Sequence, residues 1–305
     1  MTSQCSKILE HIICSHITNH LEDHSIITKE QHGFRRGLST VTQLLETTHE
    51  FSECLNNRSQ TDVIFLDLAK AFDKVSHDKL LAKLQPILKS ESLFKWFENY
   101  LKGRRQYVTF NNNVSSVSPV TSGVPQGTVL APVLFLIFIN DIVKTIDVRI
   151  KMFADDCVLY SEVKTRNDQI NLNNNLKKIY NWCNDWQMAL NKEKCVSMTI
   201  SRKKSPLVFD YELSGHKLSS VTKYKYLGLI FSSELKWDNH IDYIVNRANN
   251  KLWYLKRILK DAPSTTKLLA YKVLIRPILE YASVVWDPFT QKKRRQIRNG
   301  SEKST

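Results

Sequence analysis

Two adjacent carboxylates, Asp155 and Asp156, stand between arms that alternate apolar and polar residues, with Ile150, Met152 and Ala154 before them and Val158 and Tyr160 after. Period-2 alternation predicts two half-buried strands, which puts the acids at the tip of a hairpin. Carboxylates ~4 Å apart repel by about 1 kcal/mol in water and about 4 kcal/mol near a protein surface. Holding them beside an apolar arm calls for a compensating cation, and a divalent metal with oxygen ligands fits best. Taken alone, an Asp-Asp pair reads more simply as a solvated turn. A third acid changes that. Asp67 falls at the carboxyl end of Val63-Ile-Phe-Leu66, four apolar residues that predict a strand buried on both faces. An acid emerging from a buried strand is badly placed for stability and well placed for a ligand site. Residues able to start a helix follow it, while Asp73 and Asp78 read as surface or capping acids.

Two loops carry further candidates. In Thr121-Ser-Gly-Val-Pro-Gln-Gly-Thr128 the missing side chains of Gly123 and Gly127 let a ligand approach the backbone, and Gln126 sits between them. An apolar helix follows and ends at Asn140-Asp141, with Pro132 near its start. The Gly-bracketed stretch Gln31–Thr40 offers Arg35 and Arg36 as a phosphate clamp, against the plainer reading of a surface turn.

The elements that must position these residues are legible in part. Ile8, Leu9, Ile12, Ile13 and Ile17 predict a helix from the first few residues, and His11, His16, His20 and His24 read as its solvated polar face. Ser39 or Thr40 caps a second helix through Leu44, Leu45 and Phe51. Leu80 to Leu101 reads as helix, with Leu84, Leu88, Phe94, Trp96 and Phe97 as core. Lys102–Arg105 reads as a basic turn, and Gln106–Phe110 as a strand. Ile244, Ala248, Leu252, Leu255 and Leu259 form an apolar stripe on a helix made basic by Arg247, Lys251, Lys256, Arg257 and Lys260. A second apolar helical stretch runs from Lys267 to Trp286, broken by Pro277. Gln291–Thr305 is predicted to be a disordered basic tail or a nuclear localisation patch.

Composition narrows the classes. The 305 residues include 42% hydrophobic ones, enough for a real core, and carry a formal charge of +14. Such a charge points toward a polyanion such as nucleic acid, with an acidic membrane surface as the alternative. Val129–Ile139, the longest apolar run, is too short to span a bilayer, which takes about 20 residues. The six cysteines form no Cys-x-x-Cys pair and no signal peptide precedes them. They read as reduced thiols of an intracellular protein of nucleus or cytoplasm.

Strand-end Asp67, the Gly-Val-Pro-Gln-Gly loop and hairpin-tip Asp155-Asp156 come in a defined order. With Gln-His-Gly-Phe-Arg (31–35), Phe-Leu-Asp-Leu-Ala-Lys-Ala-Phe-Asp (65–73), Asn-Lys-Glu-Lys-Cys (191–195) and Lys-Tyr-Leu-Gly (225–228), they resemble reverse transcriptases of non-LTR (LINE-type, jockey-like) retrotransposons. The resemblance runs from about Ser6 to Thr290. It implies an α+β right-hand polymerase with an antiparallel palm sheet and a helical thumb: fingers and palm over 1–231, a thumb-like region over 232–290, and the basic tail over 291–305.

It also implies RNA-directed DNA synthesis on an RNA template and DNA primer from dNTPs, with two Mg²⁺ ions (Mn²⁺ as substitute) on Asp67 and Asp155 and Asp156 as supporting acid. Phe72 matches the aromatic beneath the incoming sugar, Gln126 with Gly127 the nucleotide pocket, and Lys194 the lysine that assists leaving pyrophosphate. Tyr226-Leu227-Gly228 resembles the primer-grip turn. Arg247 and Lys251 would lie along the template–primer duplex with Arg35 and Arg36. Thr128 and Ala131 replace the commoner Ser and Gly of the loop. An Arg-Pro-Ile-Ser-type fingers stretch, an upstream endonuclease and a longer C-terminal region are absent, so the expected chain is truncated at both ends. A nucleic-acid-binding remnant that no longer polymerises is therefore the alternative function. The sequence leaves template choice and oligomeric state open.

Overall fold

The computed structural model describes residues 4–287 together with Gln291, Lys293 and Arg294. Helix α1 (Gln4–Asp23) leads to α2 (Thr40–Asn56), strand β1 (Gln60–Leu66), α3 (His77–Leu84) and α4 (Glu91–Leu101). A ribbon of short strands follows: β2 (Arg105–Gln106), β3 (Thr109–Phe110), β4 (Asn113–Val114) and β5 (Ser118–Pro119). Next come α5 (Ala131–Ile139), a 3₁₀ turn, the hairpin of β6 (Arg149–Phe153) and β7 (Asp156–Val163), α6 (Arg166–Asp185) and β8 (Val196–Ile200). Short strands β9 (Glu212–Leu213), β10 (His216–Lys217) and β11 (Ser219–Ser220) precede a hairpin of β12 (Lys223–Tyr226) and β13 (Leu229–Ser232). Helices α7 (Asp238–Ile258), α8 (Ser264–Leu274) and α9 (Arg276–Glu280) close the described chain.

The main sheet runs β11-β8-β1-β7-β6 and is antiparallel except where β11 joins β8. Its two faces bury separate clusters. Ile64, Leu66, Leu159 and Met152 pack against α1, α3, α5 and α6. Val63, Phe65, Val158 and Tyr160 pack against α2, the β12–β13 hairpin and α7. Burying each such side chain stabilises the fold by about 1.5–3 kcal/mol. Strand β7 is thus central and buried on both faces through Cys157–Tyr160, where alternation predicts one open face. Alternation reads only one layer; a second layer fills the other face with residues that the pattern counted as neutral.

Other departures have local causes. The helix expected over Leu80–Leu101 breaks between α3 and α4, where Pro86 lacks the N–H that a continuing helix needs. No helix starts after Asp67; residues 69–74 form turns before α3. Ile8, Leu9 and Ile12 face solvent on α1, which buries Glu10, Ile17 and Leu21. On α8 no residue is buried, although α9 and the turn after it bury Leu279, Ala282 and Trp286. Ser39 caps α2 as expected, in a reciprocal pair with Thr42. No helix among the described residues is long and apolar enough to cross a membrane. The predicted tail lies, apart from Gln291, Lys293 and Arg294, outside the described residues.

Candidate active site

The register of β1 against β7 gathers the three acids. Leu66 pairs with Cys157, so Asp67, the residue just after β1, arrives at the same end of the sheet as Asp156. Phe153 pairs with Asp156 across the hairpin, which leaves Ala154 and Asp155 as its two-residue turn. Ala154 has φ +55°, a left-handed conformation needing outside support. Gln31 provides it. Its buried side chain donates to the Ala154 carbonyl (3.3 Å) and accepts from the Ala154 N–H (2.8 Å). A Cβ on Gly33 would come within 2.3 Å of the Ala154 nitrogen, so only glycine fits between that loop and the turn. The Gln-His-Gly stretch therefore holds the backbone beneath Asp155. Sequence reasoning singled out its arginines and missed this role.

Asp67 is held by a different segment. Its carbonyl accepts from the Asn191 N–H (2.8 Å), and its own N–H donates to Cys195 Sγ (3.4 Å). The same 191–195 loop brings Lys194 Nζ to 4.0 Å from Asp67 Oδ2, with the lysine mostly in solvent.

Electrostatics single out the hairpin. Burial, and after it the charge of Asp67, raise the Asp155 carboxyl. Burial pushes Asp156 up to about 6, with Asp155 and Asp67 adding to the effect. Asp156 is exposed at the start of β7, followed by four buried residues, Cys157–Tyr160. Among the described residues no group of three or more Asp, Glu, His or Cys side chains is arranged to hold a metal ion as it stands. The acids are gathered by strand register and left under-compensated, a charge deficit that a divalent cation fits.

This deficit has a measurable consequence without metal. Asp156 takes its proton more tightly folded (about 6) than at its ordinary value of 3.8, so stability falls as pH rises through that window. In chelator, Asp156→Asn is expected to stabilise the fold at pH 7.5 by on the order of 1 kcal/mol after solvent screening, seen as a raised Tm. The gain should vanish below pH ~4, where both side chains are neutral. Equal Tm differences at both pH values in scanning calorimetry would refute the assignment.

Beside the acids, the turn after β1 meets the Gly-rich loop. The Phe72 ring stacks on Phe135 of α5 (centroids 4.4 Å, 18° between planes) and takes the edge of Phe34 (6.4 Å). It is half-buried at the edge of the core. Gln126 Nε2 donates to Asp73 Oδ1 (2.7 Å), so Asp73, expected as a surface acid, orients the candidate pocket glutamine. Gly123 has φ +90°, and a Cβ there would meet the Asp73 carbonyl oxygen at 2.8 Å. His77 Nε2 donates to the Gly123 carbonyl (2.9 Å), tying the loop to α3. Gly127, at φ +76°, has open space around it.

The remaining candidates divide. Leu227 and Gly228 form the turn of the β12–β13 hairpin, with φ +45° and +87°. Tyr281 donates to the Leu227 carbonyl (2.8 Å), and its ring lies 2.9 Å from where a Gly228 Cβ would stand. Tyr226 points inward, buried, and meets the buried Gln43, so its side chain supports the turn from the core. Tyr224 stacks on Phe65 (4.1 Å), and its hydroxyl is held protonated by burial and then by Asp156 and Asp67, which places this hairpin beside the acids. Arg35 is corrected. Its guanidinium pairs with Glu22 (2.5 and 2.9 Å) and donates to the Thr28 carbonyl, so it braces the loop instead of facing solvent. Arg36 is exposed, as are Arg247 and Lys251 on α7.

A central, mainly antiparallel sheet with acids at a hairpin and a facing strand end, helices packed on it and a helical unit beyond it, has the architecture of the right-hand polymerase fold. The chain belongs to the reverse transcriptase (RNA-dependent DNA polymerase) family, which it matches over residues 1–231. It is 30% identical over 294 residues to the RNA-directed DNA polymerase from mobile element jockey of Drosophila funebris, covering 92% of this chain and 32% of that protein. The jockey polymerase of Drosophila melanogaster is 27% identical over 304 residues, 96% of this chain and 33% of that one. The chain thus spans about a third of the length of these curated relatives. Among solved structures, telomerase from Candida albicans in complex with a telomeric RNA fragment shares the fold, with TM-score 0.54 at 12% identity over 96% of this chain and 56% of that one.

Proposed function

We propose that this chain is the polymerase core of a non-LTR retrotransposon protein and copies an RNA template into DNA by extending a primer with dNTPs. The observation that carries this reading is the arrival of Asp67 beside Asp155 and Asp156, with Phe72 and Gln126 on the adjoining loops. Asp67 and Asp155 would hold two Mg²⁺ ions, replaceable by Mn²⁺, with Asp156 in support. The ions supply charge neutralisation at the attacking and leaving oxygens of an in-line displacement.

The chain's own residues orient and select. Phe72 floors the sugar of the incoming nucleotide. Gln126, held by Asp73, touches its base and the template while Gly127 leaves room for the backbone to approach. Lys194, 4.0 Å from Asp67, would give a proton to departing pyrophosphate, and the 226–228 turn would support the primer end. Residues 1–231 would form fingers and palm, and 232–290 a thumb-like region. An intracellular location, nucleus or cytoplasm, goes with this reading. Primer extension on an RNA template with Mg²⁺, using the purified chain, tests it directly.

The duplex path has its own test. Arg247 and Lys251 on α7, with Arg36, offer phosphate contacts, so log K for template–primer should fall linearly with log salt. Replacing Arg247 and Lys251 by alanine is expected to reduce the slope by about two. A slope unchanged by both substitutions, in a binding titration from low to physiological salt, would make that face ordinary solvated surface.

A further inference from the structure

The ribbon between Gly103 and Val120 has no role in the reading above, and its surface is unusual. Every residue from Arg105 to Pro119 is exposed. The ribbon pairs along its own length, by β2 with β5, β3 with β4, and the Val120 N–H on the Arg104 carbonyl (2.9 Å), and is tied to α4 at its root, where the Arg104 guanidinium lies over the Tyr100 ring (5.7 Å). Asn111 and Asn112, at φ +44° and +62°, make its tip. A lone two-stranded ribbon is marginal in water. This one nevertheless presents Tyr107 (61% exposed) and Phe110 (73%), with Val108, Val114 and Val117 also in solvent. An apolar surface of that kind marks a contact.

Charge identifies the occupant. From Lys102 to Gln126 there is no Asp or Glu, and Arg104 and Arg105 stand at the root; Lys102 beside them is paired with Asp78 and Glu98 (3.2 Å each). The two arginines line a cavity of about 660 Å³ with Asp73 and with Ser122 and Gln126 of the Gly-rich loop, where the proposed nucleotide pocket lies. Cations at the base and unpaired aromatic rings beyond suit a single strand, whose phosphates follow the arginines while its bases stack on the rings. A protein partner would take the valines but gives no reason for the missing acids.

We propose that the Gly103–Val120 ribbon is a docking platform for the unpaired template strand as it approaches the Gln126 loop. The identity of that strand as template rests on the polymerase reading; the binding surface does not.

The test compares affinity for a blunt template–primer duplex with that for one carrying a 5′ template overhang of roughly ten nucleotides, within the usual range for single-strand sites. Fluorescence anisotropy is read on the wild-type chain and on Asp67→Asn, which needs no catalysis. The overhang is expected to tighten binding about tenfold or more, and Tyr107→Ala with Phe110→Ala to remove that gain while blunt-duplex affinity stays. Arg105→Glu, at an exposed position, should remove it too, most strongly at low salt. Unchanged melting curves confirm that the variants fold. Persistence of the overhang gain in both variants would overturn the platform. So would sedimentation showing that the aromatic substitutions turn a dimer into a monomer with RNA affinity intact, since the ribbon would then join copies of this chain. Absent primer extension with the overhang gain present would retire the polymerase reading alone.

Discussion

Asp67→Asn or Asp155→Asn is expected to abolish primer extension on an RNA template, a loss of at least about 10³-fold, while template–primer affinity stays close to wild type. The two residues come from just after β1 and from the β6–β7 turn, and strand register brings them to one end of the sheet. Asparagine keeps the shape and removes the charge. The Asp67 backbone contacts to Asn191 and Cys195, and the Gln31 grip on Ala154, involve no carboxylate and survive the substitution. Binding is spread over many cations, so losing one acid leaves it largely untouched. Wild-type-like extension by either variant would sink the two-metal assignment. Binding without extension in the unsubstituted chain would instead identify a remnant that keeps its grip and has lost its chemistry.

Phe72→Val should raise ribonucleotide incorporation relative to deoxyribonucleotides by orders of magnitude, with folding largely kept. The ring is fixed on one face by Phe135 and at its side by Phe34, so it cannot swing away from a 2′-hydroxyl. A packed site does not yield easily, and steric exclusion of a single oxygen therefore discriminates strongly. The same stack makes the competing account definite. If Phe72 serves only to fill the space beneath α5, truncation acts as a core deletion, worth about 3–5 kcal/mol for Phe→Ala and less for valine. Steady-state extension with each nucleotide type, beside a melting curve, separates the two. Equal loss of both activities with a lowered Tm would leave Phe72 as core and remove the sugar-selection claim.

The parts of this protein that sequence determined are those with a strong local signature. The all-apolar run 63–66 could only be a strand covered on both sides, and an acid at its end could only be conspicuous. The alternating arms around Asp155-Asp156 made a hairpin. The glycines of Gly-Val-Pro-Gln-Gly marked a tight loop, and Gly123 and Gly127 both take the left-handed conformation, at φ +90° and +76°. The α7 stripe, with Ile244, Ala248 and Leu252 buried, followed from its 3.6-residue period.

Tertiary structure decided what each polar side chain does, because a polar residue's partner is chosen by whatever the fold brings within 3 Å. Arg35 reads as a phosphate ligand until Glu22 is found in front of it. Asp73 reads as a cap until Gln126 is found donating to it. Asp62, just before the apolar run, is wholly buried, an outcome that no local pattern foretells. It is tolerated because Gln60, Gln169, Thr199 and Tyr211, drawn from four segments, all donate to its carboxylate. The three site acids show both sides of this division. Their types and order are written in the chain. Their meeting depends on Leu66 pairing with Cys157, a register set by apolar side chains on two faces of a sheet that only the folded molecule assembles.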